Sequence, residues 1–336
     1  MFRMKNKNKS KMEIYYVNKN KKRITNKSQL ERIKKLRIPP AWNQVIVSTQ
    51  LNAKVQAIGI DEKGRSQFIY STKHKEKSKS EKYKRVAALG IKLHDFIKKL
   101  KKEIRKNGYY KEKLIALIIL IIIYTSLRIG NEINKKLYNS FGLTTLLKKH
   151  VQFPANKTHE IQFKFIGKKG VENKAVVKDK LITSVMKQWH KKFNPNANDP
   201  FFQYVGYNGD TYTINAVDVN KYINTMGNFT AKDFRTYNAN VQLVKELYEM
   251  PLPHKKVDLS DSKAKKIVVS ALKEVAHKLN NTPAVCRKEY CSKAIIDKYM
   301  EDPYAFKKII NKIGTSTSTN NKIGTSFDKM VIILLK

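Results

Sequence analysis

The first 80 residues contain short apolar segments of the kind that form β-strands. Four such segments, rich in Val, Ile, Tyr and Phe, are Glu13–Val17, Val45–Ser48, Val55–Ile60 and Gln67–Ser71. Short runs of this composition between turn-forming residues predict strands. Between the first two segments, Arg37–Trp42 (RIPPAW) predicts a turn that is stiffened by two prolines. The pattern therefore predicts a small β-rich domain over residues 1–80.

The hydrophobic pattern changes near residue 80. Residues 72–85 (TKHKEKSKSEKYKR) are almost purely polar, and this shift predicts a linker between two domains. Beyond it, apolar residues recur at helical spacing: Leu93, Phe96, Ile97, Leu100 and Ile104. The run from Leu114 to Tyr124 (LIALIILIIIY) is apolar on every side, which predicts a wholly buried helix. It is shorter than the roughly 20 residues of a membrane-spanning helix, so we expect no membrane association.

The remainder of the chain predicts a mainly helical second domain that contains one β-hairpin. The hairpin is predicted near residues 160–178, where Ile161, Phe163 and Phe165 alternate with polar residues before a GKKG turn. Helical patterns follow from Ser262 to about Leu279 and again from Asn281 onwards. The fold class is therefore α+β, with the helical domain over residues 81–305.

The C-terminal residues 306–336 differ in composition from the domain before them. They contain the sequence NKIGTS twice within a stretch rich in Ser, Thr and Asn. Six residues are too few to form a packed repeat unit. The pattern predicts a disordered tail.

The charge of the chain indicates a polyanionic partner. Its 336 residues include 69 Lys and Arg against 27 Asp and Glu, a formal net charge of +42. Codon bias in an AT-rich genome raises the Lys content, but it does not account for so few acidic residues. A single-sign field of this strength attracts nucleic acid in a salt-dependent way. We therefore expect nucleic acid to be the partner.

The cysteines and the N-terminus indicate a protein that works inside the cell. The only two cysteines, Cys286 and Cys291, form neither a disulfide framework nor a CxxC zinc pair. The N-terminal sequence MFRMKNKNKSKM is basic but lacks the apolar region of a secretory signal. We expect an intracellular protein that is not secreted.

Five residues have the chemistry that DNA strand cleavage through a tyrosine requires. Such a reaction needs a nucleophile, cations around the phosphate and a proton donor for the departing 5′ oxygen. Taken singly, each candidate has an ordinary structural interpretation: a chance tyrosine, a helix-end arginine, a surface lysine, a salt-bridged arginine and a helix cap. The five candidates, in that order, are Tyr290, Arg128, Lys168, Arg235 and Asn281.

Their order along the chain carries more information than any one of them. Arg128 is followed by the motifs Gly142–Leu146 (GLTTL), Phe165–Lys168 (FIGK), Lys232–Thr236 (KDFRT) and Asn281–Tyr290 (NTPAVCRKEY). This ordered set resembles the poxvirus-like and bacterial branch of the type IB DNA topoisomerases. Gly64–Tyr70 (GRSQFIY) looks like the DNA-reading segment of that family, and Arg37–Trp42 looks like the turn before it. The resemblance covers roughly residues 12–300, and the composition rich in Lys, Asn and Ile is similar to that of the giant-virus members.

The resemblance implies both an activity and a role for each candidate. A type IB topoisomerase relaxes supercoiled DNA by nicking one strand, allowing rotation and resealing the nick, without ATP, metal or any other cofactor. Tyr290 would be the nucleophile that forms a 3′-phosphotyrosyl bond. Arg128 and Arg235 would hold the scissile phosphate, and Lys168 would be the general acid. Lys169, the next residue along the hairpin, is the alternative acid.

Asn281 departs from the poxvirus pattern, which has a histidine nine positions before the tyrosine. An asparagine at this position is similar to the bacterial members, and its amide donates a hydrogen bond but carries no charge. His277 lies about one helical turn away, and we expect it to be structural. For DNA contacts, the resemblance implies a set of five residues in the N-terminal domain: Arg65, Gln67, Phe68, Tyr70 and His74.

The resemblance also implies an architecture and a setting. The two domains would close around duplex DNA as a clamp, and the enzyme would act as a monomer. A viral member would act where viral DNA is replicated, in a viral factory, and could be packaged in the virion.

Two other classes of protein fit part of the sequence. A tyrosine recombinase or integrase uses a similar Arg, Lys, Arg and Tyr set. Recombinases typically have His-x-x-Arg at the second arginine, where this chain has Lys232–Arg235, and they lack a segment like Gly64–Tyr70. A non-enzymatic basic DNA-binding protein explains the charge equally well, but it requires no ordered catalytic set.

Overall fold

A computed structural model describes residues 1–8, 11–193, 196–315 and 325–336 of the chain. The chain divides into two compact units, Met1–Glu81 and Lys82–Lys336. The first unit is built on a β-sheet, and the second is mainly helical. The α+β class predicted from the sequence is confirmed.

The first unit contains a five-stranded antiparallel sheet in the order β2-β1-β3-β4-β5 and one helix. Its elements are β1 (Phe2–Asn8), β2 (Lys11–Val17), α1 (Lys27–Lys35), β3 (Asn43–Val47), β4 (Val55–Ile60) and β5 (Ser66–Tyr70). Ile33 of α1 is buried with Met1, Val45, Val47 and Ala57 in a small separate core. The strand β1 was not predicted, because its alternating Lys and Asn residues have the composition of a loop.

Arg3 on β1 holds the proline turn that the sequence predicted. Its guanidinium donates hydrogen bonds to the carbonyl oxygens of Pro39 at 2.9 Å and Pro40 at 3.4 Å, and also to that of Trp42. The ring of Trp42 lies against Gly59, where a Cβ atom would come within 2.8 Å of the ring. The turn is thus held by β1 through the hydrogen bonds of Arg3 and by β4 through the packing of Gly59 against Trp42.

The second unit consists of helices around one large core, with two small β-sheets. Its helices are α2 (Thr72–Ile104, which begins in the first unit), α3 (Lys111–Thr125), α4 (Glu132–Tyr138), α5 (Lys180–Lys192), α6 (Ala216–Asn224), α7 (Ala231–Glu249), α8 (Asp261–Lys278), α9 (Pro283–Glu289), α10 (Lys293–Glu301), α11 (Pro303–Thr315) and α12 (Ser326–Leu335). One sheet contains β6 (Val151–Gln152), β7 (Glu160–Ile166) and β8 (Glu172–Lys178), and the other contains β9 (Gln203–Val205) and β10 (Thr211–Thr213).

The apolar run from Leu114 forms the centre of this core. Residues 114–122 on α3 are all buried, and α7 packs against this helix. In the described ranges, no helix is both long and apolar enough to cross a membrane. The hairpin β7–β8 pairs in register from Glu160 opposite Lys178 to Ile166 opposite Glu172.

The linker predicted over residues 72–85 is helical instead. These residues form the first turns of α2, which continues without a break to Ile104. The segment contains neither Pro nor Gly, and Lys and Glu are good helix formers. The segment was interpreted as a linker because it lacks the apolar stripe of an amphipathic helix. A helix that is exposed on all sides does not need such a stripe.

The prediction of a disordered tail over residues 306–336 is wrong for most of that segment. Residues up to Thr315 continue α11, and α12 buries Met330, Val331, Ile332 and Leu335 in the main core. Asp328 on α12 also accepts a hydrogen bond from the hydroxyl of Tyr237 at 2.7 Å. Residues 316–324, which include most of the second NKIGTS sequence, lie outside the described residues.

Candidate active site

Arg128 lies on a tight loop that follows the buried helix α3. The helix ends at Ser126, which adopts a left-handed conformation, and the backbone carbonyl of Arg128 then accepts a hydrogen bond from the Leu143 amide at 2.9 Å. Gly130 and Gly142 allow the two segments to meet, because a Cβ atom on Gly142 would lie 2.5 Å from the Gly130 Cα atom. The GLTTL motif therefore fixes the loop that carries Arg128.

The residue just before this motif also holds the hairpin that carries Lys168. The Phe141 amide donates to the carbonyl oxygen of Ile166 at 2.9 Å, at the end of β7. The turn closes through a hydrogen bond from the Gly167 amide to the Val171 carbonyl at 2.8 Å. Lys168 is exposed at this turn and forms no hydrogen bond or ion pair with any residue in the described part of the chain. Lys169, the alternative acid, is also exposed and has a positive φ of 66°.

Arg235 is buried on α7 and joins three parts of the site. Its guanidinium donates to the backbone carbonyls of Ser126, at the end of α3, and Leu279, just after α8. Its Nε atom is buried without a hydrogen-bond partner in the described ranges. Burial lowers the pKa of Arg235, and the charge of Arg128 lowers it further. An arginine still keeps its charge in such a setting, because its intrinsic pKa is above 12.

Tyr290 lies beside this arginine, immediately after α9. The Arg235 guanidinium carbon lies 5.2 Å from the centroid of the Tyr290 ring, and the tyrosine is largely buried. Two cations within one small site favour the negative charge that builds on a phosphate during its reaction. The arrangement is therefore suited to nucleophilic attack on a phosphodiester.

Asn281 contacts Arg128 and retains an unused donor. Its Oδ1 atom accepts a hydrogen bond from Nη2 of Arg128 at 2.6 Å. Its Nδ2 atom is buried and has no partner among the described residues. The cap of α9 is Thr282, which accepts from the Val285 amide, so Asn281 is not the helix cap.

The structure thus brings together four of the five predicted catalytic residues: Arg128, Arg235, Asn281 and Tyr290. Lys168 stays outside this cluster, and the segment that begins at Phe141 connects its hairpin to the Arg128 loop through backbone hydrogen bonds. His277 is exposed on α8. Cys286 is fully buried four residues before the tyrosine, and burial raises the pKa of its thiol. In the part of the chain that the structure describes, no group of His, Cys, Asp or Glu residues could hold a metal ion.

Sequence reasoning missed Asn240, a fully buried residue five positions after Arg235 on α7. Its Nδ2 atom donates to the backbone carbonyl of Tyr290 at 2.9 Å, and its Oδ1 atom accepts from the Ser292 amide at 2.7 Å. The amide thus fixes the turn that contains the tyrosine. The only signal in the sequence was a polar residue among the apolar positions of a helix.

In the first unit, the predicted DNA contacts line β5 and the start of α2. Arg65 and Gln67 both donate to the carboxylate of Asp61, at 2.6 Å and 2.9 Å, and the bond from Arg65 lowers the pKa of Asp61 to about 2. The ring of Phe68 stacks on Tyr70 with centroids 6.3 Å apart, and Tyr70 lies 5.4 Å from His74. The rings of Phe68, Tyr70 and His74 thus form one row, whereas Arg65 and Gln67 share the carboxylate of Asp61.

An exposed apolar row crosses the sheet beside these aromatic side chains. Phe2 pairs with Ile46, Ile46 with Ile58 and Ile58 with Phe68 in the strand register, and all four side chains are exposed. The sheet therefore presents a surface of apolar and aromatic groups next to Arg65.

Known families match both parts of the chain. Residues 71–317 match the catalytic core of eukaryotic DNA topoisomerase I, and residues 13–61 match the N-terminal domain of bacterial DNA topoisomerase IB. The chain belongs to the type IB DNA topoisomerase family. The resemblance inferred from the ordered motifs is confirmed, and the recombinase and non-enzymatic alternatives are not supported.

Named relatives of the chain are viral enzymes. The chain is 33% identical over 306 residues to DNA topoisomerase 1B of Acanthamoeba polyphaga mimivirus, covering 87% of this chain and 86% of that protein. It is 23% identical over 283 residues to DNA topoisomerase 1B of Vaccinia virus (strain Copenhagen), covering 80% and 81%. DNA topoisomerase 1 of Rabbit fibroma virus (strain Kasza) is also 23% identical, over 298 residues and 84% of each chain.

Proposed function

We propose that this protein relaxes supercoiled duplex DNA through a covalent bond between Tyr290 and a 3′ phosphate. The observation that carries the proposal is the cluster around Tyr290. The Tyr290 ring lies 5.2 Å from the Arg235 guanidinium carbon, and Arg128 donates a hydrogen bond to Asn281 in the same cluster. These residues come from three distant parts of the chain: the loop after α3, the helix α7 and the two ends of α9. A structural role for each alone would not require them to meet around one tyrosine.

In the cleavage step, the Tyr290 hydroxyl gives its proton to solvent as its oxygen attacks the scissile phosphorus, and the bond between phosphorus and the 5′ oxygen breaks. Arg128 and Arg235 neutralise the charge that builds on the nonbridging oxygens, and the free Nδ2 of Asn281 donates to one of them. Lys168 gives a proton to the 5′ oxygen as it leaves. The cut strand rotates about the intact one, and the 5′ hydroxyl then attacks the phosphotyrosine to restore the backbone.

This chemistry requires neither ATP nor a metal ion. The phosphotyrosyl bond keeps the free energy of the phosphodiester bond that was cleaved, and the arginines supply the charge that a metal would otherwise provide. Because Lys168 lies on an exposed turn, it meets the 5′ oxygen only when DNA fills the site. Apo geometry of this kind is common for general acids.

The N-terminal unit supplies the contacts to the duplex. Arg65 and Gln67 grip phosphates or base edges, and the aromatic row of Phe68, Tyr70 and His74 packs on the backbone sugars. The enzyme works as a monomer. Because its named relatives are viral proteins, we further propose that it is a viral enzyme that acts inside the infected cell where viral DNA is replicated, and that it is packaged in the virion.

A plasmid relaxation assay tests the proposal directly. The wild-type protein should relax negatively supercoiled plasmid in EDTA without ATP. It should also form a covalent adduct with a suicide duplex, a substrate from which the cleaved 5′ end diffuses away so that religation cannot occur. Tyr290→Phe should abolish both activities and keep noncovalent DNA binding, because it removes only the attacking oxygen. Relaxation by Tyr290→Phe would show that another residue is the nucleophile.

A further inference from the structure

Three consecutive backbone carbonyls around Tyr290 are held by side chains from other helices. Lys82 Nζ donates to the Glu289 carbonyl at 3.1 Å, Asn240 Nδ2 to the Tyr290 carbonyl at 2.9 Å, and the Tyr83 hydroxyl to the Cys291 carbonyl at 2.7 Å. The carbonyls at the end of a helix have no partners within that helix. Here each of the three receives a donor from α2 or α7.

Tyr290 needs this support because it belongs to no helix. It lies between the end of α9 at Glu289 and the start of α10 at Lys293, with φ −123° and ψ −44°. The Asn240 amide fixes one side of this turn, and Tyr83 closes the other, where its hydroxyl also lies 3.5 Å from the Tyr290 carbonyl oxygen. The direction of the nucleophile's side chain follows from how this turn is held.

The residues that hold the turn from α2 lie at one place in the fold. Lys82 and Tyr83 are the first two residues of the second unit. Two positions further on, Arg85 donates to both carboxylate oxygens of Asp233, at 2.9 Å and 3.1 Å. Asp233 is two residues before Arg235. One turn of α2 therefore contacts both the nucleophile's turn and the helix that carries a phosphate-binding arginine.

We propose that Tyr83 is a positioning residue for the transesterification, which orients Tyr290 through the carbonyl of Cys291. This inference rests on the proposed function of Tyr290 as the nucleophile. Tyr83 does not touch the DNA in this proposal. Its hydroxyl sets the backbone from which the attacking side chain projects.

The chemistry of Tyr83 suits this role. It is half-buried, and burial raises the pKa of its phenol, so the hydroxyl keeps its proton and can donate wherever the enzyme is folded. The rate of a reaction between two groups in an active site depends steeply on their geometry, because much of the rate enhancement comes from holding the reacting atoms in the correct orientation. A small rotation of the turn would therefore slow attack without weakening DNA binding.

Single-turnover cleavage by Tyr83→Phe tests the proposal. The matched control is Tyr304→Phe, which also removes a hydroxyl that donates to a backbone carbonyl, that of Pro253 at 2.6 Å. Both variants should lose similar thermal stability. Tyr83→Phe should cleave a suicide duplex about tenfold more slowly, the effect of roughly 1.4 kcal/mol in the barrier, with DNA affinity unchanged. Tyr304→Phe should cleave at the wild-type rate.

The amplitude of cleavage distinguishes positioning from partial unfolding. If Tyr83 positions the nucleophile, the rate falls while the fraction of enzyme that finally becomes covalently bound stays at the wild-type level. Religation should slow by the same factor, because both directions pass through one transition state. Equal rates in the two variants, or a loss of amplitude at an unchanged rate, would overturn the proposal. Lys82→Met, which removes the neighbouring donor to Glu289, provides a second test with the same expected result if Tyr83→Phe does not fold.

The wild-type protein serves as the control for the underlying function. If it forms no covalent adduct, then the proposed function itself fails. If it forms the adduct through Tyr290 and Tyr83→Phe behaves like Tyr304→Phe, only the positioning role fails.

Discussion

Arg128 donates a hydrogen bond to the side-chain oxygen of Asn281 at 2.6 Å, although 153 residues separate the two in sequence. This bond uses the only acceptor of the asparagine side chain and orients the amide. Its Nδ2 atom then remains buried without a partner among the described residues. A buried, unsatisfied donor destabilises a fold by roughly 1–3 kcal/mol, which is consistent with a group kept for a ligand oxygen.

Replacing Asn281 tests whether that donor acts on the phosphate. Asn281→Ala should slow cleavage by about a hundred- to a thousandfold, as loss of one oxyanion donor does in other enzymes, with little change in DNA affinity. Asn281→His introduces the residue of the poxvirus pattern. Because a protonated imidazole adds positive charge, cleavage by this variant should become faster as pH falls from 8 to 6. A pH–rate profile that stays parallel to that of the wild type would contradict this role.

Gly142 should be intolerant of any side chain. An added Cβ atom would lie 2.5 Å from both the nitrogen and the Cα of Gly130 and 2.8 Å from the carbonyl oxygen of Arg128. These are backbone atoms, so the Arg128 loop would have to move. Gly142→Ala should reduce the cleavage rate by a hundredfold or more and lower Tm by several degrees, which corresponds to about 1–3 kcal/mol.

Gly314→Ala is the control for this substitution. Among the described residues, a Cβ atom at Gly314 meets an ordinary contact at 3.9 Å from Ser326, and alanine favours a helix over glycine. We expect wild-type cleavage and equal or higher stability from this variant. Full activity in Gly142→Ala would show that the loop adapts without moving Arg128.

The site was more predictable from sequence than the parts of the fold that support it. Arg128, Arg235, Asn281 and Tyr290 meet as the ordered motifs implied, and α3 followed from its unbroken apolar run. Asn240 and Tyr83 could not be found in this way. Their roles depend on which carbonyls lie opposite them, and that is decided by tertiary packing.

The wrong predictions about the fold have a related cause. Local composition suggested disorder for the C-terminal residues, yet α12 is stabilised by burial against α7, which contributes far more than helix propensity does. Likewise β1 is formed by pairing with β2 and by the long-range hydrogen bonds of Arg3. Patterns within a short window contain no information about such partners.

His150 should make the second unit sensitive to acid. Burial lowers the pKa of His150 to about 4, its Nδ1 atom accepts a hydrogen bond from the Leu147 amide, and its ring lies 4.5 Å from that of Phe141. The unfolded chain takes up a proton at this residue near pH 6.5, whereas the folded chain does not. The stabilisation is therefore complete above pH 6.5 and is lost as pH falls towards 4, by on the order of 2 kcal/mol.

Denaturant unfolding at several pH values measures this effect. His150→Asn keeps an acceptor near the Leu147 amide but cannot be protonated, so its stability should vary less between pH 6.5 and 4.5 than that of the wild type. His277→Asn, at an exposed histidine, should follow the wild-type curve. An identical pH dependence in wild type and His150→Asn would show that other groups cause the acid sensitivity.

The last prediction concerns the proton that the 5′ oxygen requires. If Lys168 supplies it, then Lys168→Ala should be slow on ordinary DNA and much less impaired on DNA in which sulfur replaces the bridging 5′ oxygen. A thiolate leaves without a proton. Asn281→Ala should gain little from sulfur, because its proposed bond is to a nonbridging oxygen that remains in both substrates.

Lys169 provides the matched control, because it is the next residue of the same exposed turn. Its left-handed backbone, with φ 66°, directs its side chain differently from that of Lys168. Rescue by sulfur in Lys169→Ala and not in Lys168→Ala would assign the acid to Lys169. If neither lysine variant is rescued, the hairpin acts only as a phosphate clamp, and the proton must come from another donor.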